Sequence, residues 1–231
     1  MTGTEGDVSD VQLILLLSLV GGALSLDATA AFQMMLSQPL VAASIAGLVV
    51  GDATTGLVVG AALQLVWMGV LPVGAAAFPD GAVSGVCGVG ASVLLARSGV
   101  PAGLAVACGI GIALVAGAVG QRVTTWVRRA NVRYSNLAEA RAEDGDPGGV
   151  RTAVILGLGT RFVASAILAA AALAVSLLLK PLAALHVPGV FPTTLWAAPI
   201  GAAALMIKGK GVEKYFIAAG LVAGLAMSFL A

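Results

Sequence analysis

The chain is poor in charge. Only 10% of its 231 residues are Asp, Glu, Lys or Arg, against roughly a quarter in soluble domains. So few charges cannot cover a water-facing surface. With 59% hydrophobic residues and a mean hydropathy of +1.04, the solvent is a bilayer. Basic residues are missing altogether before Arg97, and the first residues carry Glu5, Asp7 and Asp10 instead. This excludes a secretory signal, which needs a positive flank, and 11–26 reads as a retained membrane segment. Cysteine is limited to Cys87 and Cys108, both in apolar stretches, so they read as small core residues and not as a disulfide or metal pair. The single histidine, His186, falls in the loop-like HVPG. There is no Walker loop, no metal-ligand cluster and no Ser/His/Asp arrangement. Neither chemistry on this chain nor a cofactor is expected. The acids are too sparse for a charge-coupled pump, although a single proton-binding Asp stays open.

A membrane span needs about 20 apolar residues. The apolar runs are 11–26, 40–51, 56–71, 82–96, 102–127, 152–180, 192–207 and 215–231. They predict an all-α polytopic membrane protein with six to eight helical segments, some short, broken or re-entrant. The expected organisation is a tail over 1–10, a membrane core over 11–127 with a broken-helix motif at 27–80, a loop over 128–150, and membrane segments over 151–231. Runs 11–26, 40–51 and 56–71 are too short for comfortable straight spans, and the latter two read as a hairpin dipping partway into the membrane. The stretch 128–150 mixes both charge signs and ends in Asp-Pro-Gly-Gly, a strong breaker. Arg128, Arg129, Arg133 and Arg141, flanked by Arg122 and Arg151, assign it to the cytoplasm by the positive-inside rule. Run 152–180 then crosses outward, and Pro181, Pro188 and Pro192 mark an outer loop. Run 192–207 returns to an inner loop carrying Lys208, Lys210 and Lys214. Acids interleave with the arginines, so no nucleic-acid partner is expected.

Residues 38–80 break the apolar monotony. GLVVG occurs twice, at 47–51 and 56–60, with Asp52-Ala53-Thr54-Thr55 between the copies. In lipid, Gly-xxx-Gly faces let backbones approach closely. In one straight helix the two glycine pairs would lie on opposite sides, because nine residues is about 2.5 turns. A break at 52–55 gives two arms instead, with packing faces Gly47/Gly51 and Gly56/Gly60. Asp27, Asp52 and Asp80 are the acids between 11 and 138, and a carboxylate at mid-bilayer costs about 2.5–3.5 kcal/mol. Each must lie at an interface, in a wet cavity, or be protonated. Asp52 suits an N-cap, a substrate site, or both; Asp80 could cap a segment from Ala82, and Asp27 one beginning near Ala28. Gln64 suits interhelical hydrogen bonding or a sugar hydroxyl. Trp67, on nearly the same helical face, suits a membrane-interface anchor or a sugar's C–H face. Gln38 and Thr55 add uncharged polar groups.

The ordered residues Pro39-Leu40, Gly47, Gly51-Asp52, Thr55-Gly56, Gly60, Leu63, Gly69, Val73-Gly74 and Pro79-Asp80 resemble the IIC membrane subunit of the mannose/fructose/sorbose family of sugar phosphotransferase systems. The preceding SLDATAAFQMMLSQPL is similar as well. The resemblance implies a permease subunit that binds and moves a hexose-type sugar. It implies a IID membrane partner, and cytoplasmic IIA and IIB proteins that carry the phosphohistidines and relay phosphate from phosphoenolpyruvate through HPr. A homo-oligomer of the IIC/IID unit is expected. Asp52, Gln64, Trp67 and Asp80 are the expected substrate-site or hinge residues, with Asp27, Gln38 and Thr55 as further candidates, and Gly69 and Gly74 join the packing glycines. The family commonly carries a basic residue at the position of Gln38 and a Glu at that of Gln64. Two neutral amides here would either alter sugar specificity, if those groups contact sugar, or replace a charge pair together. Run 215–231 leaves almost no tail, so a docking element there is expected to be missing. Two other classes compete: a proton-coupled secondary transporter dependent on Asp52, and a non-transporting membrane scaffold.

Overall fold

The computed structural model describes residues 9–31, 33–67 and 78–184. Every regular element among them is helical: α1 Asp10–Thr29, α2 Pro39–Val50, α3 Ala53–Trp67, α4 Gly81–Arg97, α5 Ala102–Glu143 and α6 Pro147–Ser176, followed by a 3-10 segment Leu177–Ala184. Among the described residues, three helical stretches are long and apolar enough to cross a membrane: Asp10–Thr29, Ala102–Glu143 and Pro147–Ala184. Runs 192–207 and 215–231, together with His186, Gly69, Gly74 and the 208–214 lysines, lie outside the described residues.

Helix α4 is the centre of the fold and touches every other helix. All its residues from Ala82 to Leu95 are buried. Small residues make this possible, because lipid gives helices no hydrophobic reason to associate and close contact must supply it. A Cβ at Gly85 would lie 2.8 Å from the Pro39 carbonyl, and one at Gly88 2.7 Å from Val59 Cγ1. Helix α1 runs antiparallel to α6: Asp10 pairs with Lys180 at 2.6 Å, while a Cβ at Gly22 would lie 2.9 Å from the Phe162 carbonyl.

The doubled GLVVG is a helical hairpin. Helix α2 ends on Gly51, whose φ of 81° is a left-handed conformation that suits glycine. Asp52 then starts α3, its carboxylate accepting from Thr55 N–H at 3.0 Å and Thr55 Oγ1 at 2.6 Å. The arms pack through glycine: a Cβ at Gly47 would lie 2.8 Å from Gly56 Cα, and one at Gly60 3.0 Å from Leu40 Cα. At about 1.5 Å per residue the arms are roughly 18 and 22 Å long, short of a hydrocarbon core about 30 Å thick.

Four expectations are corrected. Segment 11–26 is not too short, because α1 extends over Asp10–Thr29. The stretch 128–150 is mostly not a loop: α5 continues to Glu143, and only 144–146 separate it from α6. Its residues are good helix formers, and the Asp-Pro pair works as a helix start, with Asp146 accepting from Gly148 N–H at 2.9 Å and Pro147 at the first helical position. At 42 residues α5 is about 63 Å long, roughly twice the bilayer core, so its arginine-rich half projects beyond it. Pro181 does not open a loop but sits inside the 3-10 segment. Finally, Asp27 caps no helix at Ala28. It lies within the last turns of α1 and reaches forward to Met34 and Ser37.

Candidate functional site

Gln38 precedes α2 and Gln64 lies near the end of α3. The antiparallel hairpin brings them together at its open end. Gln64 Nε2 donates to Gln38 Oε1 at 2.9 Å, and Leu40 N–H donates to Gln64 Oε1 at 3.3 Å. The two amides thus bond to each other, as a replaced charge pair would. They line a cavity of about 140 Å³ together with Ser37, Pro39, Trp67, Phe78, Pro79, Gly81 and Ala28. At about 30 Å³ per water, this has room for roughly five waters. The lining pairs amide and hydroxyl groups with an indole and a phenyl ring. That chemistry suits a small, uncharged, hydroxylated solute.

The approach to the cavity is strained and pinned. Gln33 and Met35 have φ of 53° and 64°, which side chains with a Cβ adopt infrequently. Asp27, 3% exposed, holds this turn by accepting from Met34 N–H at 2.6 Å and Ser37 N–H at 3.0 Å. Ser37 then lines the cavity.

Asp80 stands at the cavity's edge without facing it, since its neighbours Pro79 and Gly81 line the wall. It caps α4, accepting from Val83 N–H at 3.1 Å, and its own N–H donates to the Gly117 carbonyl at 3.1 Å. Its other oxygen accepts from Arg161 Nη2 at 2.8 Å in a buried ion pair. Arg161 is itself bound by Thr124 Oγ1 at 2.6 Å and the Ser25 carbonyl at 3.4 Å. One ionic network therefore ties α1, α4, α5 and α6. Arg161 is not among the site residues expected from the sequence. The available signal was its position as the one charge between Arg151 and Lys180, and an ionisable group in an apolar run demands a partner.

A second, larger cavity of about 750 Å³ adjoins the first. It runs along α5 from Thr124 to Ala138 and along α6 from Val150 to Arg161, toward the arginine-rich end. Its polar lining includes Gln33, Arg128, Asn131, Tyr134 and Ser135. Asp52 and Thr55 belong to neither cavity. They close the opposite end of the hairpin, about 14–18 Å from Gln64 along α3. Among the described residues, no group of three or more His, Cys, Asp or Glu could hold a metal ion.

The family model described as PTS system sorbose-specific IIC component matches residues 11–185, the span that builds both cavities. The chain belongs to this IIC family. Curated relatives include a sorbose-specific EIIC component from Klebsiella pneumoniae, 36% identical over 46% of this chain and 38% of the relative. The fructose permease IIC component of Bacillus subtilis is 36% identical over 62% of this chain and 50% of its own length. The mannose-specific EIIC component of Escherichia coli K12 is 30% identical over 49% and 40%. The chain spans half or less of the length of these relatives. Two solved structures share the fold seen here. One is described only as a membrane protein (TM-score 0.61, 22% identity, covering 95% of this chain and 79% of that one). The other is a cryo-EM complex of the mannose transporter ManYZ with microcin E492 (TM-score 0.57, 21% identity, 95% and 79%).

Proposed function

We propose that this chain is the translocating IIC subunit of a phosphoenolpyruvate-dependent sugar phosphotransferase system, and that it carries a hexose-type sugar. The observation that carries the reading is the cavity at the open end of the hairpin, where the Gln38–Gln64 amide pair and Trp67 line one small space. Amides offer both donors and acceptors to sugar hydroxyls, and an indole face packs against sugar C–H groups. Family membership and the names of the relatives support the sugar class. The partners would be a IID membrane subunit and cytoplasmic IIA and IIB phosphocarriers, in a homo-oligomer of the IIC/IID unit. Phosphate transfer would then be the partners' chemistry, and this chain would supply binding and gating. The positive-inside rule supports a plasma-membrane orientation in which the arginine-rich end of α5, and with it the larger cavity, faces the cytoplasm. The start of α1 would then face outward, since α1 begins beside Lys180.

The test is uptake of labelled hexoses in cells supplied with IIA, IIB and IID, with and without this chain. Sugar phosphate that accumulates only with phosphoenolpyruvate supports the reading, and free intracellular sugar sensitive to uncouplers favours a proton-coupled carrier. Gln64→Ala should abolish most uptake at normal membrane abundance. Unchanged uptake in that variant removes the cavity from the mechanism.

A further inference from the structure

The two cavities meet at one aromatic ring. Their linings share two residues, Ala28 and Phe78. Ala28 offers a methyl group on the last turn of α1, so Phe78 is the larger part of the shared wall. It begins the strip Phe78-Pro79-Asp80 that leads into α4. Along this strip the residues face different ways. Pro79 and Gly81 line the small cavity, whereas Asp80 between them is buried in its bond to Arg161. Arg161 in turn lines the large cavity. The ion pair therefore grips the strip from the large-cavity side, while the opposite face forms the small cavity's wall. Close packing fixes the other side: a Cβ at Gly81 would lie 2.7 Å from the Ser37 carbonyl and 2.9 Å from Pro39 Cδ.

We infer that Phe78 is the partition between the small cavity and the large one, that solute passes between them past its ring, and that Arg161 is a positioning residue holding this partition through Asp80. A half-buried phenyl ring with open space on two sides can change rotamer without repacking a core. Its apolar face blocks a hydrated solute in one rotamer and clears it in another. The large cavity's polar lining suits a solute leaving a small polar pocket for water. What passes rests on the function proposed above; the existence of the partition does not.

The experiment uses the full chain in membrane vesicles of both orientations, with Cys87→Ala and Cys108→Ala, and a charged, membrane-impermeant methanethiosulfonate as probe. Ser135→Cys, exposed in the large cavity, reports which vesicle face opens onto that cavity. Gln64→Cys reports the small one. From the face that labels Ser135→Cys, Phe78→Ala should speed labelling of Gln64→Cys by at least about tenfold, and Phe78→Trp should slow it. Arg161→Gln should speed it several-fold, Arg161→Lys less, and neither should alter labelling of Ser135→Cys. If Arg161→Gln fails to accumulate, Thr124→Val, which removes one bond holding the guanidinium, is expected to act in the same direction. Equal Gln64→Cys rates with Phe78 and with Phe78→Ala overturn the partition. Equal rates with Arg161 and both of its substitutes overturn the positioning role. No sugar is present, so the two readings fail separately. Absent uptake with gated labelling overturns only the transport function, and normal uptake with ungated labelling overturns only the partition.

Discussion

Replacing Arg161 by methionine should destabilise the fold strongly. The guanidinium meets Asp80 Oδ2 at 2.8 Å, with the two side chains 3% and 1% exposed. Removing one member of a buried ion pair strands the other charge, at a cost of about 3–5 kcal/mol. Asp80 keeps its bond from Val83 N–H and sits at a helix N-terminus, which favours an anion. The cost for Arg161→Met should therefore fall near the lower bound, about 3 kcal/mol. Asp80→Asn tests the pair from the other side. Asparagine caps a helix about as well as aspartate, so this variant leaves the cap and removes only the charge. The guanidinium is then left with Thr124 Oγ1 and the Ser25 carbonyl, a similar loss of about 3 kcal/mol. The double variant Asp80→Asn/Arg161→Met strands no charge. It should fall short of the summed single losses by at least about 2 kcal/mol, within the range for residues of one network. The assay is heat-induced loss of folded chain in detergent, compared across the four proteins. At about 2–4 °C per kcal/mol for a chain of this size, each single variant should lose roughly 6–12 °C. Additive losses, or an Arg161→Met protein that melts with the parent, would show that the pair is not a buried unit.

Changes at three further positions probe the hairpin. In the same thermal assay Gly51→Ala should cost about 1–2 kcal/mol through its φ of 81° alone, since a Cβ there meets nothing within 4 Å. Gly47→Ala should cost about 1–3 kcal/mol by forcing α2 from α3, and a silent Gly47→Ala would contradict the close packing at Gly56. Asp52→Ala should lose about 1 kcal/mol of capping, with Asp52→Asn nearly neutral and sugar uptake per molecule unchanged in both. Loss of uptake in Asp52→Asn at normal abundance would instead give that carboxylate a proton-carrying or substrate role.

The apolar runs identified most helices, because in lipid the length of a run is itself the signal. Periodicity could not say which face packs where. Helix α4 is small and apolar on every side, so nothing in its sequence distinguishes the face toward α5 from the face toward α1. The arginine-rich stretch misled for the opposite reason. Outside the bilayer a polar run without periodicity looks like a loop, and Asp146-Pro147 looked like its breaker when it is the start of α6. The Gln38–Gln64 pair was suggested only by the family resemblance, and the hairpin turning at Gly51 and Asp52 is the physical reason the two residues meet. Asp80 and Arg161 were legible only as costs. Each needs a partner in an apolar chain, but 81 residues separate them, and no local spacing connects them.

The polar exceptions determine the site's geometry. Asp27 holds the strained turn before α2, Asp52 closes the hairpin, and Gln64 joins its open end to Gln38. Asp80 and Arg161 bind the start of α4 to α1, α5 and α6. An apolar contact in lipid can be exchanged for another at little cost, because the tails are as apolar as the side chains. A buried hydrogen bond or ion pair cannot, because its loss leaves an unpaired group. Register in this fold is therefore specified at a few polar points, where the cavities also lie. The residues most expensive to bury hold the strip whose Pro79 and Gly81 line the small cavity, and under the partition inferred above a change at Arg161 should alter solute passage even where no solute touches it.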